Sequence, residues 1–402
     1  MRKNTEHNNE LPDYTGEISP RRNPLDVTFF LLVLLLTATG LVMLLSVSYP
    51  AAMQQFGKPT YFFSRQFYFA VFGVGLMYVI SRVDYHLLKR VAKPLLLFAM
   101  LLLVAVALKG FGDVNNNSRR WIDVGLFSFQ PSEVAKIAVI IDFSAALAAR
   151  EKQLSGFRKD LLPYLIKLGI FSALLMLEPH LSGTVLILCA GVAVMFVGGL
   201  DKKWILIGIG SAVLIVVLFL TGIIPYGQDR IAVWRDPFSD ATGKGYQVVQ
   251  GILAIGSGGL TGVGLGNSRQ KQMYLPEVQN DYIFSVVCEE LGLIGAALIL
   301  ALFALLIVRG YLIAMHAKDR FGCLLTVGIM TLFALQVFLN VSVVTGLLPN
   351  TGISLPFFSY GGTALIIEFA ELGIVLSVSR QCRYRVEDEE KKKKRPRRRG
   401  AD

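Results

Sequence analysis

The feature that most restricts this chain is a succession of ten apolar runs, near 27 to 49, 63 to 81, 93 to 110, 132 to 149, 163 to 178, 183 to 199, 204 to 224, 281 to 308, 322 to 345 and 356 to 379. Runs of about 17 to 25 such residues are what an α-helix needs to cross a bilayer core of about 30 Å. A helix also satisfies its own backbone there, where no water can. Ten spans would consume nearly all of the 53% of the 402 residues that are hydrophobic. Only 17% of the chain is charged, against about 25% in soluble domains. The expected fold class is therefore an all-α polytopic membrane protein with about ten transmembrane helices.

Residues 1–26 are polar and lack the short apolar core of a cleavable signal, so the first membrane helix is expected to act as the targeting signal. Lys and Arg are retained in cytoplasmic loops. They gather at Arg2, Lys3, Arg21 and Arg22, at Arg82, Lys89, Arg90 and Lys93, and at Arg150, Lys152, Arg158 and Lys159. The pattern continues at Lys202 and Lys203, at Arg309, Lys318 and Arg320, and in the last residues. This alternation places both termini in the cytoplasm. The division that follows is a cytoplasmic tail at 1–26, a transmembrane domain at 27–379 and a basic cytoplasmic tail at 380–402. Two connections are long for a compact protein: about 111 to 131, and an extracellular loop at 225–280 between helices 7 and 8. Much of the net charge of +11 sits in the last tail with its KKKKRPRRR run. That concentration excludes a nucleic-acid-binding surface and suits a disordered segment near anionic lipid. Cys189, Cys288, Cys323 and Cys382 show no zinc or disulfide spacing.

Three stretches carry residues suited to chemistry. Between Gly243 and Gly266 there are nine glycines, too many for a regular helix, so backbone there must turn tightly or approach something closely. The G-x-G spacings have no preceding strand, which argues against a dinucleotide site. An outer cap fits better, with the apolar piece Val248 to Ile255 in the interface and Arg230, Arg235, Lys244, Arg269 and Lys271 nearby. A phosphate-bearing lipid headgroup would explain basic residues on that side; ordinary loop ion pairs with Asp229, Asp236 and Asp240 would too. Asp281, at the mouth of the eighth helix, either caps it together with Asn280 or serves as a base at the membrane surface. Glu289 and Glu290 lie about two turns further in, where an ionisable group is paired or functional. In QPSEVAK, Glu133 and Lys136 are neighbours on one helix face, forming an internal ion pair or facing a polar cavity. Glu178 and His180, beside Pro179, mark a turn between spans or line the same cavity.

Taken in order, QPSEVAK, RIAVWRDPF, GYQVVQGILAIGSGGLTGVGLG, LPEVQNDYIF with EELGLIG, and GLLPNTGISLPFFSYGG resemble the SEDS family of shape, elongation, division and sporulation proteins, over nearly the whole chain. The resemblance implies a ten-helix peptidoglycan glycosyltransferase of the bacterial cytoplasmic membrane that polymerises lipid II at the outer face and releases undecaprenyl pyrophosphate. It implies a class B penicillin-binding protein as partner, with other division or sporulation membrane proteins. The family's essential Asp maps to Asp281. Its motif positions fall on Arg120, Trp121, Gln130, Glu133, Lys136 and Ser359, Tyr360, Gly361 and Gly362. Arg230, Lys271 and Glu277 are added from the long loop as substrate-binding candidates. The glycine-rich segment is expected to let backbone approach the headgroup. No metal ligands are assigned; a divalent cation, Mg or Mn, is the cofactor that a pyrophosphate leaving group would admit. Many members have Asp where this chain has His180, so an acid or metal-ligand role does not carry over to that position. VVTGLLPNTG and GNSRQKQMYLPE are closer to the division and sporulation branch. The competing readings are a lipid II flippase, which would favour midplane sites on broken helices, and a non-catalytic scaffold.

Overall fold

The computed structural model describes residues 25–108, 113–115, 118–123, 128–150, 154–222 and 227–382. Residues 1–24 and 383–402, which hold nearly all of both charged tails, lie outside that set. Among the described residues ten long helices occupy the ten apolar runs: α1 (Val27–Phe56), α2 (Tyr61–Arg82), α3 (Leu87–Ala107), α4 (Pro131–Ala148), α5 (Leu162–Leu177), α6 (Leu181–Val197), α7 (Lys202–Leu220), α10 (Ile283–Met315), α11 (Arg320–Val344) and α12 (Gly362–Ser379). The short helices α8 (Gln228–Arg235) and α9 (Tyr246–Gly258) lie in the connection between α7 and α10. Eight of the ten are long and apolar enough to cross a membrane, counting the π turn Phe157–Leu161 with α5. The other two are α6, apolar but of 17 residues, and α4, which carries Glu133, Lys136 and Asp142. Those charges face the bundle in pairs, Lys136 with Glu133 at 2.7 Å and Asp142 with Lys167 of α5 at 2.5 Å, as intramembrane charges must.

Four boundaries depart from the sequence reading by six residues or more, one being the start of α3 at Leu87 rather than 93, which takes Lys89, Arg90 and Lys93 into the helix. The run ending at 49 continues through Pro50, which has no N–H to offer the carbonyl of Ser46. α1 stops instead where Gly57 adopts a left-handed φ of 63° and its N–H bonds Met53 O. α10 runs past the expected end at 308 to Met315, so Arg309 lies within it, paired with Asp26 at 2.8 Å. α12 begins at Gly362 rather than 356, because Pro356 disfavours helix in the residue before it and Ser359 Oγ captures the Leu355 N–H at 2.8 Å, closing a turn. The first long connection is not wholly irregular either. β1 (Asp113–Asn115), β2 (Ser118–Asp123) and β3 (Ser128–Phe129) form a small antiparallel sheet. Trp121 lies opposite Asp113, and Ile122 opposite Phe129. Trp121, Ile122 and Phe129 are half-buried on the sheet, as suits aromatic and β-branched residues on a pleated surface.

Small residues set the closest helix approaches. A Cβ on Gly73 of α2 would stand 2.2 Å from the Phe369 ring of α12, so only glycine lets that ring seat. α4, α6 and α11 pack as a central layer, buried around Ile140, Phe143, Val194 and Phe333. α7 differs: its apolar side chains, such as Leu206, Val213 and Val217, are exposed, the pattern of a helix surrounded by lipid. Connections alternate between two ends of the bundle. One is basic and cross-tied, with Arg320 donating to the Gly198 carbonyl at 2.6 Å and Arg150 paired with Asp160. The other carries the sheet, the α5–α6 turn, the long α7–α10 connection and the turn before α12.

Candidate active site

At the second end these connections surround a cavity of about 490 Å³. Its wall begins with α4, started by Pro131 after Gln130 in extended conformation. This start brings the buried Lys136–Glu133 pair to the lining. β2 adds Arg120 and Trp121. Arg120 is held by the α5–α6 turn, donating to Glu178 O at 3.1 Å and to Pro179 O. That turn ends in His180, the residue before α6, and the first turn of α6 opens on the cavity through Ser182 and Gly183. A helix start leaves N–H groups without helical partners and a partial positive charge. Burial keeps His180 neutral by pushing its pKa down to about 3, with the charges of Arg120 and Lys136 acting the same way. Among the described residues its Nδ1 has no hydrogen-bond partner. Glu178 lies behind the turn with neither carboxylate oxygen bonded among the described residues; burial raises its pKa to about 8 against the opposing charge of Arg120.

Asp281 closes the cavity from the far side. It does not cap α10: the residue before the helix is Tyr282, and no side chain caps it. The Asp281 position is fixed through its backbone, whose carbonyl accepts from Asn340 Nδ2 of α11 at 2.8 Å. The same amide holds Ile353 O at 2.7 Å. Burial raises the Asp281 pKa to about 6, opposed by its own backbone N–H and reinforced by the charge of Glu277. A second cavity, of about 630 Å³, continues from the first and shares Arg120, Glu277, Asp281 and Gly352 with it. Its walls add Arg230, Trp234, Tyr246, Gln247 and Asn350. Asp281 thus stands where the two spaces meet.

Of the sequence candidates, the first cavity gathers Arg120, Trp121, Gln130, Glu133, Lys136, Glu277, Asp281, Tyr360 and Gly361, and the second takes Arg230. Ser359 is buried behind the wall, where its carbonyl accepts from Gln66 of α2 at 3.1 Å. Lys271 belongs to neither cavity. It is buried against Glu290 at 2.7 Å, because its segment folds back onto α1 and α10. Two of the glycines likewise approach protein: a Cβ on Gly258 or Gly262 would meet the backbone of α10 at 2.0 and 2.2 Å, whereas Gly243 lines the second cavity. Sequence reading passed over Arg65 of α2 and Gln336 of α11, both on the cavity wall. The signal was present, since each is a polar side chain inside an apolar span. Among the described residues no three His, Cys, Asp or Glu side chains converge as a metal site.

Comparison with known proteins places this geometry in a family. The model of the FtsW, RodA and SpoVE family, described as cell cycle proteins, matches residues 26–384. Stage V sporulation protein E of Bacillus subtilis is 42% identical over 363 residues, covering 89% of this chain and 98% of its own. A probable peptidoglycan glycosyltransferase FtsW of Geobacter sp. is 39% identical over 358 residues, covering 89% and 97%. Among solved structures, a chain from a peptidoglycan synthase complex that coordinates polymerization and crosslinking superposes with a TM-score of 0.73 at 29% identity, covering 89% and 98%. The rod shape determining protein RodA of Thermus thermophilus does so with 0.66 at 28%, covering 89% and 97%. The chain is a multi-pass membrane protein of the FtsW/RodA/SpoVE family.

Proposed function

We propose that this protein is a peptidoglycan glycosyltransferase that polymerises lipid II, in division or sporulation, with its Asp281 end at the outer face of the cytoplasmic membrane. The observation that carries the reading is the position of one carboxylate, Asp281, at the junction of two cavities with different walls. The first carries Arg65, Arg120 and Lys136, with the N-terminus of α6. Such a wall suits a pyrophosphate. The second shares Arg120 and adds Arg230 and Lys244, but it also offers the Trp234 and Tyr246 rings beside the amides of Gln247 and Asn350, groups that can stack on and hydrogen-bond to sugars.

In this arrangement the Asp281 carboxylate takes the proton of an acceptor sugar hydroxyl as its oxygen forms a bond to the donor's anomeric carbon. The bond from that carbon to the pyrophosphate oxygen breaks, and its electron pair leaves with undecaprenyl pyrophosphate. Arg65, Arg120, Lys136 and the first turn of α6 stabilise the charge that gathers there. A Mg or Mn ion would be held by Glu277 together with the pyrophosphate itself, the usual way such ions sit, and would further neutralise the leaving group. A class B penicillin-binding protein that crosslinks the strands is the proposed partner, as the match to a chain of a synthase complex supports.

The test uses the purified full chain with fluorescent lipid II. Glycan chains on a gel are expected from the wild type, and none from Asp281→Asn, which keeps the side-chain volume and removes the base. General-base contributions run about 100- to 10,000-fold. Transbilayer movement of lipid II in liposomes without polymer formation would overturn the proposal in favour of a flippase, and neither activity would favour a scaffold.

A further inference from the structure

The best-built polar cluster outside the cavities lies where the chain after α9 docks on α10. α10 is broken at Gly292, whose φ of 66° and ψ of −172° lie outside the helix region. The loop fills the break. Val263 and Gly264 N–H donate to Glu289 O and Glu290 O at 2.9 and 3.0 Å, while Leu293 and Ile294 N–H donate to Gly259 O and Leu260 O at 2.9 and 3.1 Å. The helical bonds lost at the break are thus replaced by bonds to the loop. A Cβ on Gly292 would stand 2.3 Å from the Gly262 nitrogen, so the splice admits no side chain there.

Those backbone bonds already hold the loop. Next to them are two adjacent carboxylates, Glu289 and Glu290, each 1% exposed. Glu290 receives Lys271 Nζ at 2.7 Å and Ser46 Oγ of α1 at 2.7 Å, and Lys271 also donates to Ser46 at 3.0 Å. Glu289 receives the Arg269 N–H at 2.9 Å and the Ser268 hydroxyl. Buried ion pairs are a poor route to stability, since desolvation offsets much of the attraction. Their well-attested use is to fix one register.

The segment this cluster anchors leads directly to Asp281. It has little slack: Gln272 and Leu275 N–H bond back to Arg269 O and Gln270 O, Asn280 N–H bonds Glu277 O, and Leu275 and Val278 are buried. Within it Met273 and Glu277 hold positive φ angles of 66° and 44°. Residues in that region persist only when their surroundings over-determine them. The far anchors are Asn340 on Asp281 O and the Tyr360 N–H on Gln279 O at 2.8 Å. The near anchor is Lys271 with its partners.

We propose that the Lys271–Glu290 pair, with Ser46, Ser268 and Glu289, is a positioning device that sets where the Asp281 carboxylate stands between the two cavities. Neither Lys271 nor Glu290 lines a cavity, so both act through Asp281 rather than on substrate. The inference rests on the reading of Asp281 as the base. It is tested with the full chain in lipid nanodiscs, by steady-state polymerisation of fluorescent lipid II, with rates expressed per folded molecule. Lys271→Met and Glu290→Gln are each expected to lower kcat by up to about 100-fold, the scale of a 1 Å misplacement, while KM stays near the wild-type value. Lys271→Arg, which keeps charge and donors, is expected to recover most of the rate. Where Lys271→Met yields too little folded protein, Glu290→Gln, which keeps the shape, decides. If either variant shows wild-type kcat per folded molecule while Asp281→Asn is inactive, the pair is structural only and the inference is overturned. An active Asp281→Asn would instead remove the underlying reading, whatever the Lys271 variants do.

Discussion

The side-chain amide of Asn340 donates to the backbone carbonyl of Asp281 at 2.8 Å, tying the last turns of α11 to the backbone of the residue at the cavity junction. Because the same amide also holds Ile353 O at 2.7 Å, it joins the entrance of α10 to the segment that follows α11. Asn340→Leu keeps the volume and strands both carbonyls. An unsatisfied buried group costs about 1 to 3 kcal/mol. Lower thermal stability is therefore expected, together with a fall in kcat larger than the rise in KM. A variant with wild-type kcat would show that Asp281 is placed without this clamp.

The pH profile follows from burial at Asp281. A general base works deprotonated, and burial raises this carboxyl to about 6. The acid limb of kcat/KM should therefore bend near pH 6, losing about tenfold per unit below it, the slope of a single essential group. An unperturbed Asp would keep full activity down to near its usual value of about 4. An acid limb lying there would place the essential carboxylate elsewhere, in water.

Topology is read through cysteine labelling. Basic residues cluster at the end bearing Arg150, Lys159 and Arg320, opposite the end bearing Asp281, so the positive-inside bias assigns the first to the cytoplasm. Ser155 and Ser239 are both exposed, at opposite ends. A membrane-impermeant maleimide applied to intact cells should modify a cysteine at Ser239 and spare one at Ser155. Labelling of Ser155 alone would invert the protein in the membrane.

The ten helices were legible because spanning a bilayer demands long apolar runs, and boundaries slipped where charged first turns, as in α3, or a local device hid them. Pro50 reads as a stop, yet α1 tolerates one missing bond. Arg309 reads as loop, yet Asp26 neutralises it inside α10. The candidate site was legible where polar residues interrupt apolar sequence, as at Glu133, Lys136 and Asp281. Lys271, Gly258 and Gly262 were misread for one reason: a charge or a glycine in a loop announces a close contact without saying with what. Here the contact is with α1 and α10, and composition carries no trace of that pairing. Arg65 went unnoticed because the nine residues after Gln66 are apolar enough to read simply as a span.

The Lys136–Glu133 pair separates stability from function. Both side chains are nearly buried, at 3% and 12% exposed, and 2.7 Å apart, so Lys136→Met leaves a carboxylate without its partner. Breaking such a pair costs about 3 to 5 kcal/mol, and the lower end is expected because Glu133 also faces the cavity. Glu133→Gln alone should destabilise less, because the Lys136 ammonium still interacts with the buried Glu368 and Glu371 of α12. The double variant Lys136→Met with Glu133→Gln removes both charges, and a coupling of about 1 to 3 kcal/mol should return much of the thermal stability. Polymerisation should not return with it, because the cavity would still lack one of the cations facing the pyrophosphate. A double variant that regained both stability and rate would show that the pair only holds the wall together, leaving the leaving group to Arg65, Arg120 and the α6 N-terminus.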